Sequence, residues 1–278
     1  MVTKSSKPIY GIGIDTGGTY TDAVLFDLRE RQVICVSKRP TIHHRLERSI
    51  VQALDDIFPV GNAKSLRKIA FSTTLATNAI TEGRMSRVGL IVIGQVKPFD
   101  APVVLVRYVE GGHDHLGKEV LPLNVEQIVD AVNSFKGYVD AYAIAASGSI
   151  ENPTHEQVAA KAIELVDRKP VVCSCDVSSK SGIRKRATTA VLHASLMPVI
   201  QRFVSQVNQL QKDRLLTADM RIIRGDATAD DLTKAVALAA STVASGPAAT
   251  AYFGAKSTAA KLAMVVDIGG TTTDITFI

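Results

Sequence analysis

The sequence predicts an α/β protein built on a mixed sheet with flanking helices, and three observations carry that expectation. Two short β-branched and apolar runs, 9–16 and 21–27, are joined by a Gly-Gly-Thr turn and read as a β-hairpin. A third strand at 32–38 leads into residues 44–58, where Leu46, Ile50, Val51, Leu54 and Ile57 recur at helical spacing, and then into a strand at 68–72. The segment DTGGTYTD at 15–22 returns as DIGGTTTD at 267–274, identical at six of eight positions and again between apolar runs, so a supersecondary unit is duplicated. This order is not the strict βαβ alternation of a dinucleotide-binding fold.

Further along, Val88–Ile93 and Ala141–Ala145 read as buried strands, and Glu156–Val166 as an amphipathic helix leading into a strand at 170–175. Arg184–Leu216 is a long helical pattern holding Pro198, which a helix accommodates in its first turn or as a kink. Ser245-Gly246-Pro247 punctuates the chain before another helical stretch, and 262–278 reads strand, turn, strand.

At 278 residues the chain has room for one large domain or two, and 46% hydrophobic with 21% charged residues excludes disordered and fibrous classes. The net charge of +5 comes from scattered basic residues without aromatic interleaving, which argues against nucleic acid. Ala235–Ala255 is uncharged and long enough to span a bilayer, but Ala, Ser, Thr and Gly dominate it and Pro247 interrupts it, so no membrane span is expected. The start MVTKSSKPIYG has no apolar signal region, and three cysteines are too few for a disulfide framework, which points to the cytoplasm.

The duplicated turn carries the chemistry. Paired glycines let backbone N–H groups converge on an anion without Cβ obstruction, so Gly17 and Gly18, with Gly269 and Gly270, suit a phosphate. Thr19, Thr21, Thr271 and Thr272 add hydroxyl donors. Asp15 and Asp267, at the strand ends, are hard oxygen ligands of the kind Mg²⁺ uses, often through retained water. A plain hairpin turn explains one copy but not two copies with both aspartates. No G-x-x-x-x-G-K-[ST] phosphate loop occurs, and GIGIDTGG lacks the third glycine of a dinucleotide fingerprint.

The doubled D-x-G-G-T-x-T-D resembles the two phosphate motifs of the actin, Hsc70 and sugar kinase superfamily, whose ribonuclease-H-like lobes hold Mg-ATP. FSTTLATNAITEG at 71–83, DHLGKEVLPLN at 114–124, RATTAVLHASLMPVIQRF at 186–203 and ASGPAATAYFGA at 244–255 narrow the resemblance to the N-terminal region of the hydantoinase A / 5-oxoprolinase family. That resemblance implies a ribonuclease-H-like (actin-like ATPase) fold, with a first lobe over 1–180 and, over 181–278, a helical connection and the start of a second lobe. It implies ATP and Mg²⁺ as cofactors, a small cyclic amide or ketone as substrate, and a second, hydantoinase B-like subunit as partner. Asp15 and Asp267 would then act in catalysis and place the metal through water, while Asp22 and Asp274 anchor the turns. The same superfamily leaves open a small-molecule kinase or an ATP-driven conformational module. Two departures bear on the substrate: SGIRKRATT is basic where relatives are acidic and aromatic, and the segment after GQVKPFD is short.

Thr73, Thr74 and Asn78 sit between a strand end and a helix start, where they either face substrate or cap the helix through Ser72 or Thr73. His113-Asp114-His115 lacks the further ligands of a metal site and reads as a solvated loop. Cys173 and Cys175 on one strand would share a face as buried thiols, His193 reads as packed or capping, and Arg184-Lys185-Arg186 as a solvated helix start.

Overall fold

The computed structural model describes residues 8–42, 45–58, 65–214, 216–260, 262–269 and 273–278. In chain order come β1 (Tyr10–Thr16), β2 (Tyr20–Asp27), β3 (Gln32–Pro40), α1 (Leu46–Ile57), β4 (Leu66–Thr73) and α2 (Leu75–Thr81). Next are β5 (Val88–Ile93), β6 (Leu105–Val109), α3 (Val125–Phe135), β7 (Ala141–Ala146), α4 (Thr154–Val166), β8 (Val171–Cys173), α5 (Ser174–Val177) and α6 (Ile183–Asp213). The remainder is β9 (Asp219–Ile223), β10 (Ala229–Asp231), α7 (Leu232–Ala237), α8 (Ser245–Ser257), β11 (Met264–Ile268) and β12 (Thr273–Phe277). These elements make two compact units, one of residues 1–82, 200–236 and 241–278 and one of 83–199 and 237–240.

The first unit holds a six-stranded sheet of order β10-β9-β4-β1-β2-β3. β1, β2 and β3 are an antiparallel meander, whereas β4 runs parallel to β1 and β9 parallel to β4. This is the expected mixed, ribonuclease-H-like sheet. Strand period two puts Ile12, Ile14, Ala23 and Leu25 on one buried face. Helix α1 covers that face with Leu46, Ile50, Ala53, Leu54 and Ile57, the spacing seen in the sequence apart from Val51, which is half-buried. Phe71 of β4 meets Phe203 of α6 edge to face at 5.9 Å. Among the described residues β11 and β12 pair only with each other.

The second unit is an all-parallel sheet of order β6-β5-β7-β8, an arrangement the sequence reading did not separate from the mixed one. Its central strands VGLIVI and AYAIAA are buried at every residue, as a parallel sheet covered on both faces requires. Ile128, Val132 and Phe135 of α3 and Ala159 and Ile163 of α4 complete its core.

Glu156 of α4 is fully buried there and redirects the chain. Its carboxylate accepts from Ala146 N at 2.8 Å, Ser174 Oγ at 2.6 Å and Cys175 N at 3.0 Å. A carboxylate accepting from the Ser174 hydroxyl and the Cys175 backbone N–H caps a helical turn, so the expected strand at 170–175 stops at Cys173 and Cys175 lies in α5. Arg186 departs from the expected solvated helix start: it is buried, donating through Nη2 to Ala146 O at 2.6 Å and Ser149 Oγ at 3.2 Å. Arg184 and Lys185 remain exposed. His113 is also buried, its ring 4.1 Å from that of His155, rather than part of a solvated loop. His193 packs as expected, its Nδ1 accepting from Ala240 N at 3.3 Å.

Pro198 lies inside α6, while Pro247 sits in the first turn of α8, where its missing N–H costs no helix bond. Among the described residues no helix is long and apolar enough to cross a membrane.

Two stability outcomes follow. Glu156→Ala strands three buried donors and should lower the unfolding free energy by about 3 kcal/mol in urea titration; an unchanged midpoint would contradict the network. Burial pulls the His193 pKa from 6.5 down to about 4. The unfolded chain therefore binds the extra proton between these values, and stability should fall as pH drops from about 6.5 to about 4. Melting curves at pH 7 and pH 5 should differ less for His193→Asn, which keeps an acceptor but cannot titrate.

Candidate functional site

On the open face of the first sheet, four polar side chains stand in one cross-strand row. Ser72 of β4 pairs with Asp15 of β1, Asp15 with Asp22 of β2, and Asp22 with Lys38 of β3. Lys38 Nζ reaches Asp22 Oδ1 at 3.0 Å and Oδ2 at 3.2 Å. The row forms one end of a cavity of about 530 Å³ whose other walls include Gly13, Val24, Val36, Ala70, Ile223 and Ala249.

Asp15 is the strained member. Its Oδ1 and Ser72 Oγ are buried without a hydrogen-bond partner among the described residues. Burial raises the Asp15 pKa above the usual carboxylate range; the nearby Ser72 hydroxyl, short of a well-formed hydrogen bond, and Lys38 oppose the rise, while the charges of Asp22 and Asp267 add to it. An orphaned hard oxygen in a net-anionic setting fits a divalent cation. Among the described residues no three His, Cys, Asp or Glu side chains are placed to hold a metal ion, so the fit is to a cation that keeps its waters.

The turn beside Asp15 is drawn tight. Gly17 N donates to Tyr20 O at 2.9 Å, and an added Cβ would lie 2.9 Å from that oxygen, so the close approach demands glycine. Thr41 holds the turn from behind, donating from its N to Thr19 O and from its hydroxyl to Gly17 O, each at 2.9 Å. Thr21 is buried with its hydroxyl 3.1 Å from that of Thr41, whereas Gly18 is half-buried and Thr19 exposed.

Thr73, Thr74 and Asn78 form one hydrogen-bonded run. Thr73 Oγ1 accepts from Leu75 N at 3.2 Å, a two-residue turn just ahead of the helix in place of the expected cap, since the N-cap residue of α2 is Thr74 and it makes no side-chain cap bond, and Asn78 Nδ2 donates to Thr74 Oγ1 at 3.2 Å. Thr74 N donates to Thr16 O at 3.1 Å, tying the run to the end of β1. Ser245 of α8 clamps it, donating to Thr73 O at 3.0 Å and accepting from Thr73 N at 3.2 Å. Two segments 172 positions apart, STTLATN and SGPAA, thus meet.

The second hairpin repeats the first in register. Asp267 faces Asp274 as Asp15 faces Asp22. Asp267 Oδ2 accepts from Thr250 Oγ1 at 2.8 Å, and Gly269 is exposed. Gly270, Thr271 and Thr272 lie outside the described residues. Lys38 carries no sequence signal, and Ser245 and Thr250, though inside the segment ASGPAATAYFGA, carry none for these contacts, because each reaches the site through pairing or docking that no local pattern encodes.

Carboxyl-carbon NMR should find Asp15 titrating above 3.8, and Lys38→Met, which removes an opposing charge, should move it further up. An unmoved titration would show that Lys38 does not act on Asp15.

The chain matches the hydantoinase/oxoprolinase N-terminal region over 11–166 and the hydantoinase/oxoprolinase model over 186–278. It is 27% identical to the caprolactamase subunit alpha of Pseudomonas jessenii, over 98% of this chain and 44% of that protein. It is 27% identical to the acetophenone carboxylase gamma subunit of Aromatoleum aromaticum, over 97% of this chain and 42% of that protein. The nucleotide-free structure of acetone carboxylase, an enzyme of ATP-dependent acetone carboxylation, superposes with a TM-score of 0.80 at 23% identity, over 98% of this chain and 44% of that one, and shares the fold. The chain spans less than half the length of these relatives. Two family models that together take in both copies of the aspartate hairpin leave one conclusion: this chain belongs to the hydantoinase/oxoprolinase family.

Proposed function

We propose that this chain carries the nucleotide-binding part of a cytoplasmic, ATP-dependent enzyme that opens a cyclic amide of the hydantoin, 5-oxoproline or lactam type, or of a related ketone carboxylase. The observation that carries the reading is the duplicated hairpin, with Asp15 opposite Asp22 and Asp267 opposite Asp274 in the same register. Two relatives with caprolactamase and acetophenone carboxylase in their names, each a lettered subunit, support the reaction class and a partner subunit. The family matches at 11–166 and 186–278 support reading 1–180 and 181–278 as the two homologous regions.

In this reading the amide oxygen attacks the terminal phosphorus of ATP and ADP leaves. Water then adds to the activated carbon, the C–N bond breaks as a proton passes to nitrogen to leave an acyl phosphate, and a second water releases the carboxylate and inorganic phosphate. Bound Mg²⁺ supplies neutralisation of phosphate charge. The chain's own contribution is positional: Gly18, Gly269 and Gly270 present backbone N–H groups, and Thr19, Thr271 and Thr272 present hydroxyls to the phosphates, while Gly17, expected as a further donor, spends its N–H on Tyr20 O and instead closes the turn. Thr21, paired with Thr41, supports the first turn from beneath. Asp15 and Asp267 would orient water on the cation, whose charge would oppose the burial that raises the Asp15 pKa. Thr74 and Asn78, both half-buried, are the substrate-side members of their segment, and Thr73 acts through the turn that its hydroxyl closes onto Leu75 N.

The decisive experiment is phosphate release from Mg-ATP by the full-length protein, with and without its partner subunit, across 5-oxoproline, hydantoins, lactams and ketones. One substrate class should stimulate release and yield a ring-opened or carboxylated product, and Asp15→Ala should lower kcat by about 100-fold. A stable phosphorylated product would mark a kinase; release indifferent to every substrate would mark a conformational ATPase.

A further inference from the structure

Helix α8 lies between strand β4 of the six-stranded sheet and the second hairpin, and meets both along one face. Gly246, Thr250 and Gly254 recur every four residues and so line one side of the helix. At Gly246 an added Cβ would lie 3.8 Å from Ser72 Oγ, the neighbour of Asp15 in the polar row. At Gly254 an added Cβ would lie 2.3 Å from Val265 Cγ2, so only glycine lets the helix settle against β11. Between the two glycines, Thr250 Oγ1 donates to Asp267 Oδ2 at 2.8 Å. The start of the helix is fixed independently by Ser245, fully buried and doubly hydrogen-bonded to the Thr73 backbone.

The two aspartates occupy equivalent places in their hairpins, yet their surroundings differ. Asp15 has the parallel strand β4 beside it, and Ser72 on that strand supplies the adjacent hydroxyl. β11 has no such strand beside it among the described residues, and its hydroxyl comes from the helix instead. We propose that Thr250 is a positioning residue for Asp267: by occupying Oδ2 it fixes the plane of the carboxylate and leaves Oδ1 as the oxygen available to a hydrated divalent cation. This rests on the reading of Asp267 as a water-mediated partner of Mg²⁺. The glycines on either side set the distance at which that hydrogen bond forms. Because Ser245 ties the same helix to the segment joined to Thr16, one rigid element governs the placement of Asp267 and supports the turn beside Asp15.

The test is made in the full-length protein with its partner subunit, using Thr250→Val and Thr250→Ser. The binding probe is Mn²⁺ with ADP, read by the loss of the free Mn²⁺ electron paramagnetic resonance signal. Thr250→Val should keep its melting temperature within a few degrees yet bind Mn²⁺ with ADP about tenfold more weakly, the usual effect of losing a partner that orients a ligand. Its kcat should fall in proportion with KM for the organic substrate unchanged, and Thr250→Ser should restore both readouts. Should the valine variant fail to fold, Thr250→Ala repeats the comparison. A valine variant that binds like wild type, or a serine variant as weak as valine, overturns the proposal. Wild type that binds Mn²⁺ with ADP but responds to no substrate overturns the proposed reaction alone, whereas wild type that fails to bind Mn²⁺ with ADP overturns both.

Discussion

The side-chain period of a strand is two, so Ser72, Asp15, Asp22 and Lys38 share one face only because three successive strand pairings hold a single register. That row sets two carboxylates directly opposite one another, an arrangement that destabilises a sheet. Lys38 offsets part of the repulsion at Asp22, and the remainder falls on Asp15, whose buried Oδ1 has no hydrogen-bond partner among the described residues. The fold therefore carries a local electrostatic cost at the place where a cation would relieve it. Slipping any one pairing by a residue would turn these groups into the face that α1 covers and bring apolar residues out in their place.

The register also marks where sequence reasoning stops. Around the turn after β2, Asp27 pairs with Gln32 and Phe26 with Val33, a pattern that extrapolates to Asp22 opposite Ser37. A shift between Leu25 and Phe26 adds one residue to β3, so Asp22 meets Lys38 instead. Nothing in QVICVSK announces that extra residue. The hairpins themselves were legible, because two copies of one motif carry more information than any single turn. So was α1, whose apolar stripe has one period and one partner.

What was not legible depends on partners distant in sequence. The strand expected through Cys175 fails because a carboxylate on another helix receives the chain at Ser174. Arg186 reads as solvated from its basic neighbours, but the carbonyl of Ala146 and the hydroxyls of Ser149 and Ser174 satisfy its guanidinium in the interior. Buried polar groups of this kind survive only when fully hydrogen-bonded, and their partners come from β7, α5 and the loop after β7. Local propensity contains none of that information.

The first unit is discontinuous in sequence, with nearly all of the second unit inserted after α2. During synthesis β1 to β4 emerge first, but β9, which pairs with β4, follows only after the inserted residues 83–199 and the rest of α6. The second unit, almost one continuous segment, can complete its parallel sheet while β4 still presents an unpaired edge. Domains fold as units in the order in which their chain becomes available, and contacts spanning long separations form late. The insertion thus makes β4, the strand that carries Ser72 and leads into the Thr73–Asn78 segment, wait longest for its outer neighbour, and leaves a nascent chain with an open strand edge.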